Sequence, residues 1–177
     1  IKRPWIVKSG SSLALFAIKY RLPIKGIIKA TIFKQFCGGE NIEDCSKTIK
    51  HLHEYGVGAI LDYSVEGKES EMDFESTKKE TIQTILKASK NRESIPFSVF
   101  KVTGLSPFDL LEKLSLEGEL DAKSAAEKIK LWNRVDEICK TAFENNVPIF
   151  IDAEESWIQP AIDNLANAMM AKYNKQN

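Results

Sequence analysis

The sequence predicts an α/β fold on a parallel sheet: a TIM-type (βα)8 barrel, of which this chain supplies an N-terminal helical lead and the first four βα units. Three observations carry that expectation. Apolar, β-rich runs alternate four times with amphipathic helical segments, the pattern of parallel strands joined by right-handed crossovers. No glycine-rich phosphate fingerprint follows the first run, where Cys37-Gly38-Gly39-Glu40 stands, which favours a barrel over an open nucleotide-binding sheet. Charged residues stand at the C-terminal ends of the runs (Glu40, Asp62, Lys101 and Asp152), on the rim where barrel enzymes place their chemistry.

Residues 1–30 read as the basic helical lead and residues 31–177 as half of the barrel. The first strand is expected at Thr31-Ile32-Phe33-Lys34-Gln35-Phe36-Cys37. Its helix begins after Asn41, a good N-cap, and carries Ile42, Cys45, Ile49 and Leu52 on one face. It stops at Tyr55-Gly56, where glycine can take the left-handed conformation. The second strand, residues 59–65, precedes a helix with Ile82, Ile85 and Leu86; the charged stretch 68–90 reads as a solvated helix face. The third strand is Phe97-Ser98-Val99-Phe100-Lys101-Val102-Thr103, followed by a short helix near 108–114. A longer helix then shows Leu131, Val135, Ile138, Cys139, Ala142 and Phe143. Residues 147–152 form the fourth strand. The last helix carries Ile158, Ala161, Ile162, Leu165 and Met169, with Pro160 in its first turn, where a missing N–H costs little.

Net charge is zero over 177 residues but unevenly placed. Eight basic residues (Lys2, Arg3, Lys8, Lys19, Arg21, Lys25, Lys29, Lys34) and no acid precede Glu40, which leaves a net of −8 on the remainder. The lead is compatible with a packed arm or with contact to an anionic lipid surface. No basic-aromatic stripe points to nucleic acid, and no apolar run approaches the roughly 20 residues of a membrane span. Three widely spaced cysteines, Cys37, Cys45 and Cys139, fit reduced thiols in a cytosolic or matrix compartment. His51 and His53 lie two apart on one helix and face different ways, so neither a metal site nor a catalytic triad is expected. Trp132 and Trp157 read as packing residues.

Lys101 and Asp152 are the informative pair. Neighbouring strands run about 4.8 Å apart, so charged tips at one rim can meet. A lysine there suits a substrate carboxylate, and an aspartate suits the lysine or a substrate ammonium. Spacing alone equally allows a structural salt bridge closing the barrel top.

Four motifs in order resemble the proline dehydrogenase family over residues 31–174. Asp152-Ala153-Glu154-Glu155, followed by Trp157-Ile158-Gln159-Pro160-Ala161-Ile162-Asp163, is similar to that family's fourth strand. Phe97 to Leu105 resembles the third strand with its lysine, Gly58-Ala59-Ile60-Leu61-Asp62-Tyr63 the second, and Phe36-Cys37-Gly38-Gly39-Glu40 the first. The longer loop after the third strand is closer to the monofunctional branch.

The resemblance implies oxidation of L-proline to Δ1-pyrroline-5-carboxylate, with hydride transfer to FAD and electrons passed to a quinone. By position, Lys101 would hold the proline carboxylate and Asp152 would be the active-site acid. Ala153 would lie against the flavin through its backbone, and Glu40 would be the gate acid that pairs with a substrate-binding arginine. It implies a cytoplasmic protein peripheral at the inner membrane, mitochondrial in a eukaryote. The family takes most FAD contacts from strands five and six, and two substrate arginines and a tyrosine from the last helix. The 177 residues alone are therefore expected to bind FAD poorly and turn over no proline. A non-catalytic half-barrel that self-associates through exposed strand edges, and another barrel enzyme acting on a small carboxylate, are the alternatives.

Overall fold

A run of apolar residues becomes a strand only where its backbone finds a partner, and three of the four expected runs do so. In the computed structural model, which describes residues 4–20, 22–63, 69–116 and 118–174, β1 (Ile60–Leu61), β2 (Phe97–Phe100) and β3 (Ile149–Ile151) form one parallel sheet in the order β1-β2-β3. Ile60 and Leu61 pair with Phe97 and Ser98; Ser98, Val99 and Phe100 pair with Ile149, Phe150 and Ile151. Each strand is shorter than expected. Ser64 and Val65 of the second run, Lys68 after it, and Lys2, Arg3 and Arg21 of the lead lie outside the described residues.

The expected first strand is a helix. Residues Lys25–Ile28 (α2), a π-type turn over Lys29–Phe33 and Lys34–Phe36 (α3) follow one another without a break. The Thr31 hydroxyl donates to the Ile27 carbonyl at 2.6 Å, and Cys37 N–H closes the stretch on Phe33 O at 2.8 Å. Thr-Ile-Phe has strand-like composition, but β preference spans only about 1 kcal/mol and depends on packing against a neighbouring strand. A helix satisfies its own N–H and C=O groups, so local hydrogen bonds win here.

The chain falls into two compact units, Ile1–Cys45 and Ser46–Asn177. The first holds α1 (Pro4–Lys19) and the α2–α3 stretch. Next comes α4 (Ile42–Glu54), capped as expected: Asn41 Oδ1 accepts from Asp44 N–H at 2.9 Å, and Gly56 ends the segment at φ 73. Ile49 is its buried residue; His51 and His53 are exposed.

The second unit is layered. Helix α5 (Glu71–Ser89) lies on β2 and against α7 (Ala122–Glu144), while α8 (Gln159–Tyr173) lies against α7 and α6 (Phe108–Ser115). The buried stripe of α7 is the expected one from Leu131 to Ala142, and Ala161, Ile162, Leu165 and Met169 of α8 are buried as expected, with Ile158 just before the helix. Phe143 instead is half exposed against the Tyr173 ring, and Trp157 is 58% exposed rather than packed. Burial pushes the Cys139 thiol up to about 12; all three cysteines are free thiols.

Helix α5 buries one face beneath its charged surface, where Glu71 and Lys79 are exposed. Its buried stripe contains Phe74, Thr77, Thr81, Thr84, Ile85 and Ala88. Thr77 and Thr81 donate to the carbonyls of Asp73 and Thr77, and Thr84 shares a 3.1 Å hydrogen bond with the buried Ser98 of β2. Threonine can enter a core because its own helix satisfies the hydroxyl. Even Lys78 is mostly covered, bridging Glu75 at 2.9 Å and Glu137 at 2.7 Å.

Arg134 of α7 is buried to 4% exposure. Its guanidinium meets Glu71, Glu75 at 2.9 Å, the Leu105 carbonyl at 2.9 Å and the Phe74 ring, tying α5, α7 and the loop after β2 together. Replacing it by methionine would strand the Leu105 carbonyl; since Glu71 and Glu75 keep solvent contact, the expected loss is about 2–3 kcal/mol in urea denaturation. Asp121 caps α7, accepting from Ser124 N–H at 2.8 Å and from its hydroxyl at 2.9 Å. Those donors, the backbone N–H first, hold its carboxyl down at about 2 against an ordinary 3.8. A depressed carboxylate stabilises the fold above its unfolded value and loses that as pH falls through the folded one. Asp121→Ala should therefore lower the denaturation midpoint fully above pH 4, with the gap to the parent closing towards pH 2.

Candidate functional site

The C-terminal rim of the sheet is built where β2 and β3 end together, with Phe100 paired to Ile151. After β2, Lys101 keeps an extended backbone, and Val102–Gly104 then turn in a single 3-10 turn. After β3, Asp152 N–H still donates to Phe100 O at 3.0 Å, which carries the parallel pairing one step past the strand. The two side chains consequently stand side by side: Lys101 Nζ lies 3.2 Å from Asp152 Oδ2, as the sequence predicted. Their side chains are 31% and 44% exposed, so the pair is half-buried rather than enclosed. The hydrogen bond that Lys101 donates to Asp152 raises the Lys101 pKa above its ordinary value; partial burial opposes it, and the charges of Asp152, Glu154 and Asp62 add to it. Lys101 is thus a fixed cation at neutral pH.

Beyond the pair, Glu154 accepts from Thr103 N–H at 3.1 Å and from the Thr103 hydroxyl. Its own N–H donates to Gln159 Oε1 at 3.0 Å, and Gln159 Nε2 donates to Asp163 at 2.7 Å. Ala153 lies exposed between Asp152 and Glu154. Sequence reasoning gave Glu154 and Thr103 no role. The signal was present in the matched spacing Lys101-x-Thr103 and Asp152-x-Glu154.

Glu40 belongs to the first unit, where Lys29 Nζ donates to its Oε2 at 2.7 Å; that bond raises the Lys29 pKa. Gly39 shapes this loop: a Cβ there would sit 2.6 Å from Asp44 Cβ, so only glycine fits. The strand expected before Glu40 is helical, so Glu40 follows a helix rather than a sheet edge.

A groove of about 760 Å³ opens on Thr103, Ser106, Pro107 and Phe108, with six carboxylates (Glu69, Asp109, Glu112, Glu127, Glu154, Glu155) against Lys123. Among the described residues no group of three or more His, Cys, Asp or Glu side chains is placed to hold a metal ion, and no helix is long and apolar enough to cross a membrane. A lone lysine paired with an aspartate can bind a small zwitterion end to end, carboxylate to Lys101 and ammonium to Asp152.

The sequence model of the family described as proline dehydrogenase matches residues 45–177, a span that coincides with the second unit. The chain belongs to the proline dehydrogenase family. It is 30% identical over 166 residues to the carbapenem antibiotics biosynthesis protein CarD of Pectobacterium carotovorum subsp. carotovorum, covering 93% of this chain and 44% of that protein. It is 30% identical over 191 residues to the mitochondrial proline dehydrogenase 1 of Dictyostelium discoideum, covering 87% and 33%. With the mitochondrial proline dehydrogenase 1 of Arabidopsis thaliana the identity is 26% over 208 residues, covering 96% and 41%. The chain thus spans between a third and under half of the length of these relatives.

Asp152→Asn should let Lys101 titrate at lower pH while melting moves by no more than about 1 kcal/mol, as for other solvated pairs. Lysine-selective NMR of the two proteins checks both.

Proposed function

We propose that this chain is the front half of the catalytic (βα)8 barrel of a monofunctional, FAD-dependent proline dehydrogenase. Such an enzyme oxidises L-proline to Δ1-pyrroline-5-carboxylate and passes electrons to a quinone, with the protein peripheral at the inner membrane, mitochondrial in a eukaryote. The observation that carries the reading is the Lys101–Asp152 pair at the C-terminal rim of a parallel sheet, inside the family-matched span. Lys101 holds the proline carboxylate; Asp152 orients that lysine and tunes the charge around it. Ala153 lies against the flavin through its backbone. Glu40, here held by Lys29, serves as the gate acid for a substrate-binding arginine.

The sheet itself supports a barrel. Parallel sheets are covered on both faces. Here Ser98 and Phe100 are buried on one face, while Phe97 and Phe150 stack on the other with ring centroids 5.0 Å apart. Ile60 and Phe150 keep 45% and 48% of their surface exposed there. An apolar face of that kind matches a barrel interior that further strands would line.

The residues present fit FAD at its flavin end only. Ala153 is small and exposed beside the pair, whereas the large groove presents carboxylates that would repel a pyrophosphate. Bound FAD would supply the hydride acceptor; this chain supplies the charge that orients proline. One relative is named for carbapenem biosynthesis, so the substrate needs a direct test. The full-length protein is expected to purify with a flavin absorbance band and to reduce a dye when proline is added. Residues 1–177 alone should do neither. Lys101→Ala in the full-length enzyme should raise KM for proline roughly ten-fold or more with flavin content unchanged. A colourless symmetric dimer without proline oxidation would overturn the reading in favour of a self-associating half-barrel.

A further inference from the structure

Strands β2 and β3 pair with a constant offset: Ser98 with Ile149, Val99 with Phe150, Phe100 with Ile151. The backbone ladder ends one step later, with Asp152 N–H on Phe100 O, and side chains continue it. Lys101 meets Asp152, and Thr103 meets Glu154 at the same offset of 51. The second rung answers a backbone problem. The first N–H groups of a helical turn have no partner within it, and an N-cap side chain usually accepts from the second or third. Lys101 occupies the N-cap of the turn Val102–Gly104 and has no acceptor to offer. Glu154 takes the Thr103 N–H instead, so the cap is delivered from the loop of the next strand. The N-cap position is thereby released to a lysine.

The latch is held at both ends. Leu105 N–H closes the turn on Val102 O at 2.9 Å, and Arg134 fixes the Leu105 carbonyl. Val102 and Leu105 are fully buried, and the Glu154 backbone is tied to Gln159 at the start of α8. Lys101 is therefore held against Asp152 between two anchored points.

We propose that Glu154 is the positioning residue of Lys101: by capping the turn through Thr103 it fixes where the lysine stands opposite Asp152 and keeps a second negative charge beside the ammonium. Asp152, Glu154 and Asp62 are the carboxylates that act on Lys101, Asp152 most strongly. The consequence for substrate rests on the proline dehydrogenase reading; the latch itself does not.

Competitive acetylation of residues 1–177 with acetic anhydride across pH, read by mass spectrometry, reports the Lys101 titration, with Lys172 as internal reference because Asp136 is its partner. Glu154→Gln keeps a carbonyl for Thr103 N–H but removes the charge. The expected result is a lower Lys101 midpoint with Lys172 unmoved, and a larger drop in Glu154→Ala. Thr103→Val, which removes the hydroxyl and keeps the charge, should leave the midpoint near that of the parent and serves if Glu154→Ala does not fold. In the full-length enzyme Glu154→Ala, which removes the cap as well as the charge, should raise KM for proline about ten-fold, with a smaller change in kcat. A Lys101 midpoint unmoved by Glu154→Gln, or an unchanged KM in an active full-length enzyme, would overturn the proposal. A shifted midpoint in a full-length protein that never oxidises proline supports the latch and rejects the catalytic reading instead.

Discussion

The parallel register of β2 against β3 sets the rim, because every later contact inherits its offset. Parallel pairing aligns residues along the two strands, and the side chains that follow emerge beside one another without further instruction. A slip of one residue would send Asp152 to the opposite face and leave Lys101 facing its neighbour. Several contacts resist that slip. Phe100 and Ser98 are buried under the helices, and the Ser98 hydroxyl is bound to Thr84 of α5. On the far face the Phe97 and Phe150 rings stack and hold the same alignment.

The helical layer supports that register through polar groups as much as apolar ones. Three threonines of α5 and Arg134 of α7 are buried in the helical layer, each satisfied by hydrogen bonds. Buried polar networks of this kind have narrow geometric tolerance, since a lost partner leaves an unsatisfied group in a low-dielectric interior. Arg134 uses that tolerance to connect helix packing to the rim: the guanidinium that joins α5 and α7 also grips the Leu105 carbonyl at the end of the Lys101 turn. Rigidity in the scaffold is thereby passed to the site.

At the rim, one cation stands in acidic company. The surrounding carboxylates keep Lys101 protonated, and their summed charge favours a ligand that brings an ammonium along with its carboxylate. An amino acid has that form. The arrangement is consistent with the family to which residues 45–177 belong.

The sequence by itself determined the alternation of strands and helices after the first expected strand, the caps at Asn41 and Gly56, the buried faces of α7 and α8, and the meeting of Lys101 with Asp152. Those features follow from local periodicity, cap chemistry and the neighbourhood of consecutive parallel strands. Tertiary structure alone decided the rest. Thr31-Ile32-Phe33 became helical because strand composition cannot supply a partner strand. The threonines of α5 went inside because their hydroxyls are satisfied by their own helix and by Ser98, which no hydropathy pattern reveals. Glu154 became the cap of the Lys101 turn because two loops distant in the chain end at one rim, and that closeness is set by the register between strands rather than by either sequence segment.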